Sequence, residues 1–313
     1  MIGRIVEVAE DSRHISLYRG FLTISNKGTQ REIGRVPLDD TLAVIAHAHG
    51  LSYTNNVLCA LAEKGIPFVL CNDLHETVGM LWPVCGHHQQ AKRFDAQIAV
   101  SEPKKKALWA KIVKSKIQQQ AILLEKRGIS SAYLQRLVKE VRSGDVGNCE
   151  AQAAKVYWHS LFGKTFVRDR SADGINTMLN YGYTILRSAM ARAVIAAGLH
   201  PSIGLHHCNG ADAMRLVDDL MEPFRPTVDW FVFDLADEAK ELLLTNENKQ
   251  HLVGCLFVET LLQKTYVPVM VAMQKLALSL SLFFLGETAD IVLPEGFDFG
   301  TSNSQVPKAP RKT

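Results

Sequence analysis

The sequence predicts an α+β protein, with a β-rich N-terminal part followed by a larger helical part. Three observations predict it. From Ile2 to about Pro83 the apolar runs are short, rich in β-branched and aromatic residues, and bounded by turn residues. After Pro83 the apolar residues recur with a period near 3.6. Finally, 313 residues at 47 % hydrophobic and 21 % charged exceed one minimal domain and match a globular composition, which excludes a disordered or fibrous chain.

In order, RIVEV, HISLY, FLTIS, REIGRV, IPFVLC and TVGMLW have strand length and content. Arg19-Gly20 and Asn26-Lys27-Gly28 read as tight turns. One helix intervenes, capped by Thr54 or Asn55, striped by Val57, Leu58 and Leu61, and closed by Gly65. The β-rich domain is assigned to 1–83 and a linker to 84–90, containing Cys85-Gly86-His87-His88. A helical domain follows over 91–290. Its periodicity predicts helices across 91–127, 130–142, 149–162, 173–198, 211–222, 228–243, 248–264 and 266–285. Gly198 with Pro201 ends one of them. Residues 291–313 are predicted to form a disordered C-terminal tail, which from Thr301 carries Lys308, Arg311 and Lys312, two prolines and no acid. No repeat of 20–50 residues is visible.

Several functions are excluded or disfavoured. A net charge of +3, from 35 basic and 32 acidic residues, does not mark a nucleic-acid binder by bulk charge, so any such contact must be locally grouped. Six cysteines without a CxxC pair, together with the charged start MIGRIVEVAEDSRH, point to free thiols in a reducing cytoplasm. The apolar stretch Val267 to Leu285 is interrupted by Pro268, Gln274 and Lys275, and reads as a buried helix rather than a membrane span. Gly163-Lys164-Thr165 lacks a preceding strand and has Trp158 where a P-loop needs glycine. Cys85, His87, His88, His206, His207 and Cys208 are zinc-ligand types without finger spacing, and zinc is the weaker reading.

Three helical-half segments carry chemistry. In Asn148-Cys149-Glu150-Ala151, Asn148 can cap a helix and put Glu150 in its first turn, either as a ligand or as a surface acid facing the helix dipole. In Pro201-Ser-Ile-Gly204-Leu-His206-His207-Cys-Asn-Gly210, a loop histidine can face a metal or simply solvent. In Asp218-Asp219-Leu-Met-Glu222-Pro-Phe-Arg225-Pro226, Met214, Val217, Leu220, Met221 and Phe224 face the core. Asp219 and Glu222, three apart, share a side of the helix. They form either a solvated face paired with Arg215 and Arg225 or hard oxygen ligands for a divalent ion. Together, one histidine and two or three carboxylates suit Mg²⁺ or Mn²⁺ and phosphoryl transfer on nucleic acid.

These segments, in this order, resemble the CRISPR-associated integrase/endonuclease family, the first-numbered Cas protein. The resemblance is carried by Asn148-x-Glu150-x-x-Ala153-Ala154-x-x-Tyr157-Trp158, by Asp173-Gly-Ile-Asn176-Thr-Met-Leu179-Asn180-Tyr181-Gly182-Tyr183, and by Gly204-Leu-His206-His207 followed by Asp219-Leu-Met-Glu222-x-Phe224-Arg225-Pro226. It runs to about Leu285 and is most like members of type II systems. Gln152 and the loop Cys208-Asn-Gly-Ala-Asp212 depart from the family pattern.

The resemblance implies a β-sandwich-like N-terminal domain for dimerisation and an all-α catalytic domain. It implies a metal-binding and catalytic triad of Glu150, His207 and Glu222, with Asp219 beside it; His207 is chosen because it stands three after Gly204. It further implies a cytoplasmic prokaryotic enzyme of CRISPR adaptation. Such an enzyme uses a 3′-hydroxyl of spacer-precursor duplex DNA to attack a phosphodiester of repeat DNA, with endonuclease side activity. The implied partners are a second copy of the chain and the second-numbered Cas protein, with room for other type II adaptation proteins. DNA contacts are assigned to the acid-free run containing Lys104, Lys105, Lys106, Lys111, Lys114 and Lys116. Two other readings of the same residues are a metal-dependent structure-specific nuclease and a metal-free helical scaffold.

Overall fold

The structure, a computed structural model, describes residues 4–46, 48, 50–72, 77–81, 83–84, 87–238 and 242–299. In the N-terminal part Arg4–Val8 (β1), Arg13–Tyr18 (β2), Phe21–Asn26 (β3), Glu32–Pro37 (β4), Thr41–Ala46 (β5), Ser52–Tyr53 (β6), Phe68–Cys71 (β7) and Thr77–Leu81 (β8) build two four-stranded sheets. Their orders are β1-β5-β7-β8 and β4-β3-β2-β6. Arg19 and Gly20 have φ of 48° and 80°, the backbone of a two-residue hairpin turn between β2 and β3. The Asn26 side chain accepts the N–H groups of Gly28 and Thr29 at 3.0 and 2.9 Å, closing the next turn. Asn55–Glu63 (α1) is capped by Thr54, whose hydroxyl accepts the Val57 N–H at 3.3 Å.

Strand β5 and the short β6 are absent from the sequence reading, and β5 is central. It pairs in parallel with β1 and β7, and both of its faces are covered. Val44 and Ala46 pack into a small core with Ile15, Leu22, Val57 and Leu61, whereas Ile45 joins the large core of the helical part. A strand buried on both faces is a continuous apolar run, TLAVIA, which periodicity does not separate from a helix.

The second part holds Gln90–Ile98 (α2), Glu102–Lys126 (α3), Ala132–Glu140 (α4), Cys149–Phe162 (α5), Ile175–Ala196 (α6), Arg215–Met221 (α7), Arg225–Glu238 (α8), Asn246–Val253 (α9) and Val269–Phe284 (α10). The helix expected over 91–127 is two helices. Pro103 in the first turn of α3 has no N–H to give, and its ring excludes a helical turn running back into α2. A 3-10 turn, Glu222–Phe224, joins α7 directly to α8, which begins three residues before the expected 228. Pro223 and Pro226 lie in first turns, where a missing N–H costs nothing.

The expectation of an all-α second domain, with helix over 248–264, is corrected. After α9 comes a 3-10 turn, then Glu259–Leu262 (β9), Thr265–Pro268 (β10) and, much later, Gly296–Asp298 (β11), in the order β10-β9-β11. Val258, Thr260 and Leu262 are buried while Glu259 is exposed, which is the period of a strand. Gln263 and Lys264 take φ of 50° and 65° in the hairpin turn. Because β11 includes residues of the stretch expected to be a disordered tail, and Phe297 is buried, any such tail starts after Phe299. Residues 300–313, with Lys308, Arg311 and Lys312, lie outside the described residues. No helix among the described residues is long and apolar enough to cross a membrane.

The two parts are clasped by polar groups. Glu7 on β1 accepts the Tyr181 hydroxyl at 2.9 Å and the Lys249 ammonium at 2.7 Å, and Arg192 donates to the Leu42 carbonyl at 3.2 Å. On the same helix as Tyr181, Gly182 lets α6 approach α8, since a Cβ there would stand 2.3 Å from Val228 Cγ1. Gly182→Ala is therefore expected to destabilise the fold by about 1–3 kcal/mol in urea unfolding, and Val228→Ala in the same chain to recover most of that loss. An unchanged midpoint in the single variant would refute this packing.

Candidate metal centre

Glu150 lies in the first turn of α5, and the group that caps this turn is Asp145, not Asn148. Asn148 sits at the cap position with φ 50° and makes no side-chain cap bond. The Asp145 carboxylate accepts the N–H groups of Cys149 and Glu150 at 2.9 and 3.0 Å. The helix start that aims Glu150 is thus set from a 3-10 turn three residues upstream.

His207 is aimed by Asp219. Asp219 has no exposed surface, and one of its oxygens accepts the N–H groups of Leu205 and His206 at 2.6 and 3.1 Å. The other accepts the His207 N–H at 3.2 Å and meets His207 Nδ1 at 2.6 Å. With its oxygens so engaged, Asp219 works as the peg around which the loop folds, and it leaves Nε2 as the ring nitrogen open to a ligand. Gly204 is required here, because a Cβ would meet Asp219 Oδ2 at 2.9 Å and the His207 carbonyl at 3.0 Å. Arg187 of α6 ties the far end of the loop to α7, binding Asp218 at 2.7 and 2.8 Å and Asp212 at 3.0 Å. His206 stacks flat on the buried Trp109, at 4.3 Å and 3°, and the same indole meets the His207 ring edge-on at 5.8 Å.

Glu222, 3 % exposed, opens the 3-10 turn after α7, and its Oε1 pairs with Arg225 at 2.9 Å. Its Oε2 and Glu150 Oε1 both stand 2.6 Å from the ammonium of Lys116. Glu150 and Glu222 thus converge on one point, and His207 is near enough for its charge to act on Glu222. The solvated acidic face considered for Asp219 and Glu222 is ruled out by their burial.

Burial alone would raise the Glu222 pKa, but Arg225 and Lys116 outweigh it and hold the carboxyl below its ordinary value. Burial alone would lower that of Lys116, and Glu222 and Glu150 outweigh it in turn. The hydrogen bond to Asp219 raises His207, against its burial. Beneath the site, burial pushes Asp229 up to about 6, although its oxygens accept the hydroxyls of Tyr183 and Tyr157 at 2.5 and 2.7 Å.

As placed, no three His, Cys, Asp or Glu groups among the described residues form a ready metal-ligand set. The residues nevertheless fit a hard divalent cation. A single positive charge already occupies the point between two carboxylates, 2.6 Å from an oxygen of each. The zinc alternative gains nothing, and its Cys85 lies outside the described residues.

The basic run on α3 divides. Lys116 belongs to the centre, Lys105 pairs with Glu102 at 3.0 Å and Lys111 with Asp290 at 2.5 Å, while Lys104, Lys106 and Lys114 are exposed. Lys116 as a site residue was missed. Its signal was a lysine at helical spacing from the buried apolar residues Trp109, Ile112 and Val113. Asn176 and Asn180, from the second motif of the resemblance, also take a role, receiving Arg168 at 2.9 and 2.7 Å.

Comparison with known proteins adds a family. Residues 6–266 match the model of the family described as CRISPR associated protein Cas1. The chain is 35 % identical over 285 residues to the CRISPR-associated endonuclease Cas1 of Neisseria meningitidis, covering 90 % of this chain and 92 % of the relative. It is 27 % identical over 271 residues to a CRISPR-associated endonuclease Cas1 of Pyrobaculum aerophilum, covering 81 % and 90 %. In fold it is similar to a casposase bound to its integration product, with TM-score 0.77, 17 % identity and 92 % of each chain covered. It is also similar to a CAS1 protein from Thermotoga maritima, with TM-score 0.71, 18 % identity and 95 % and 100 % covered. A further likeness is to a Cas6-RT-Cas1–Cas2 complex, with TM-score 0.71, 19 % identity and 91 % and 35 % covered.

In metal-free protein, an NMR titration is expected to give His207 an apparent pKa above about 6.5, falling towards that value in Asp219→Asn. Because the native pKa is the raised one, the pair's contribution to stability is complete below about pH 6.5 and is lost as pH rises through the native value. An unshifted His207 in the unmodified protein would contradict the hydrogen bond.

Proposed function

The chain belongs to the Cas1 family of CRISPR-associated proteins, and from that premise we propose that it is a divalent-metal-dependent DNA integrase of CRISPR adaptation with endonuclease side activity. The observation that carries the reading is the convergence of Glu150 and Glu222 on one cationic position, beside a histidine whose free nitrogen is set by a buried carboxylate. Mg²⁺ or Mn²⁺, held by Glu150, His207 and Glu222, would polarise the target phosphate and lower the pKa of the attacking hydroxyl.

The chain's own groups do the rest. Asp219 fixes the His207 tautomer and ring plane, with Nδ1 committed and Nε2 open. Arg225 holds Glu222 by the oxygen that faces away from Lys116, and keeps that carboxylate ionised in a buried place. The exposed Lys104 and Lys106, with the paired Lys105 and Lys111 near them on α3, offer backbone-directed and therefore sequence-tolerant attraction to spacer DNA. The reaction forms one phosphorus–oxygen bond and breaks another, so it needs no ATP. The proposed assembly contains a second copy of this chain and the second-numbered Cas protein, on spacer-precursor and repeat DNA in the cytoplasm.

Strand transfer tests the reading. Purified protein, with and without the small Cas partner, is mixed with short duplexes bearing 3′-hydroxyls and a supercoiled repeat plasmid, in Mn²⁺ or EDTA. Metal-dependent joining is expected, falling about a hundredfold or more in Glu150→Ala, His207→Ala and Glu222→Ala. Cleavage without joining would replace the integrase by a structure-specific nuclease. Neither activity from folded protein would leave a scaffold.

A further inference from the structure

Lys116 does not belong with the other lysines of its helix. It reaches the centre from α3, whereas Glu150 comes from α5 and Glu222 from the turn after α7, and its side chain is 11 % exposed. Two ionised carboxylates this close, one of them almost fully buried, repel unless a cation lies between them, and here that cation is covalently part of the protein. A protonated amine has donors but no lone pair, so it cannot ligate a metal, and at that separation it repels a divalent ion. The ammonium and a divalent cation therefore cannot share Glu150 Oε1 and Glu222 Oε2.

Resting on the metal-dependent reading above, we propose that Lys116 is an exchangeable internal cation. It fills the metal position in the metal-free protein, and every divalent ion that loads must displace it. The two positive partners of Glu222 differ in a way that suits this. Arg225 holds Oε1, off to one side, and is wedged over the Tyr183 ring at 4.7 Å, so it can stay in place. Lys116 holds Oε2 at 2.6 Å, and a four-carbon stem can swing the ammonium away while α3 stays packed. Lys116 thus keeps the carboxylates preformed and compensated when no metal is present, at the cost of weaker metal binding. Its role is positioning rather than catalytic.

The test is calorimetric titration of Mn²⁺ into the metal-stripped full chain and its variants. Lys116→Met is expected to bind Mn²⁺ at least about tenfold tighter than the unmodified protein, Lys116→Arg no tighter, and Glu222→Gln not measurably. Melting followed by circular dichroism should show a larger Mn²⁺-induced rise in Tm for Lys116→Met than for the unmodified protein. A lysine that merely supports the site would give weaker binding on removal, so equal or weaker binding by folded Lys116→Met overturns the proposal. Should Lys116→Met unfold without metal, rescue by Mn²⁺ supports the exchange, and failure of rescue together with unimproved binding by Lys116→Gln overturns it. If the unmodified protein binds Mn²⁺ and Glu222→Gln does not, an unimproved Lys116→Met sinks the exchange alone. If no form binds, the metal-dependent reading falls and the exchange with it.

Discussion

Asp219 and Glu222, carboxylates with almost no exposed surface, stand three residues apart where α7 runs into its closing turn. Burying two negative charges so close together costs several kcal/mol unless each is compensated by hydrogen bonds or cations. The architecture around them is the compensation. Asp219 is satisfied by three backbone N–H groups and an imidazole, which forces the Gly204–His207 loop to wrap around it. Glu222 is satisfied by Arg225 and Lys116, which requires α3 and the start of α8 to lie where they do. The long helices α3 and α6, buried along most of their length, keep these partners in register.

The same logic extends one layer down. Asp229 is a third buried acid, and the hydroxyls of Tyr157 on α5 and Tyr183 on α6 meet it from two directions. Tyr157 follows Glu150 by two helical turns on α5, so the orientation of that helix is set at both ends, by Asp145 at its cap and by Asp229 below. Arg225 touches both layers, with its guanidinium on Glu222 and over the Tyr183 ring. A centre built this way has its charges preformed, which is the condition for electrostatic action without reorganisation.

Much of this was legible in the chain. The change from strand-length runs to a period of 3.6 located the two parts, and six of the eight N-terminal strands and most helices fall where the patterning puts them. The order of the glutamate, histidine and acidic motifs carried the resemblance to the family that the chain matches. What failed did so for identifiable reasons. TLAVIA is buried on both faces and has no alternation to show. In residues 259–268 the hairpin was hidden because the apolar runs on either side continue the helical pattern, and its third strand is supplied by residues 296–298. Asn148 stands at the cap position while Asp145, an equally good cap by type, lies further upstream, yet the Asn148 backbone takes φ 50° and Asp145 reaches the free N–H groups instead.

The sequence by itself determined the class of fold and contains the acidic and imidazole groups from which the metal centre is proposed. Those follow from local periodicity and from the chemistry of single residue types, which need no partner to be read. Only the tertiary structure decided how these groups divide their work, because that depends on distances between residues far apart in the chain. It made Asp219 the peg of the His207 loop, turned His206 onto Trp109, and drew Lys116 out of a basic run into contact with Glu150 and Glu222. A lysine's charge is written in the sequence, but whether it faces a solvated surface or two buried carboxylates is set by the packing of α3 against α5 and the turn after α7.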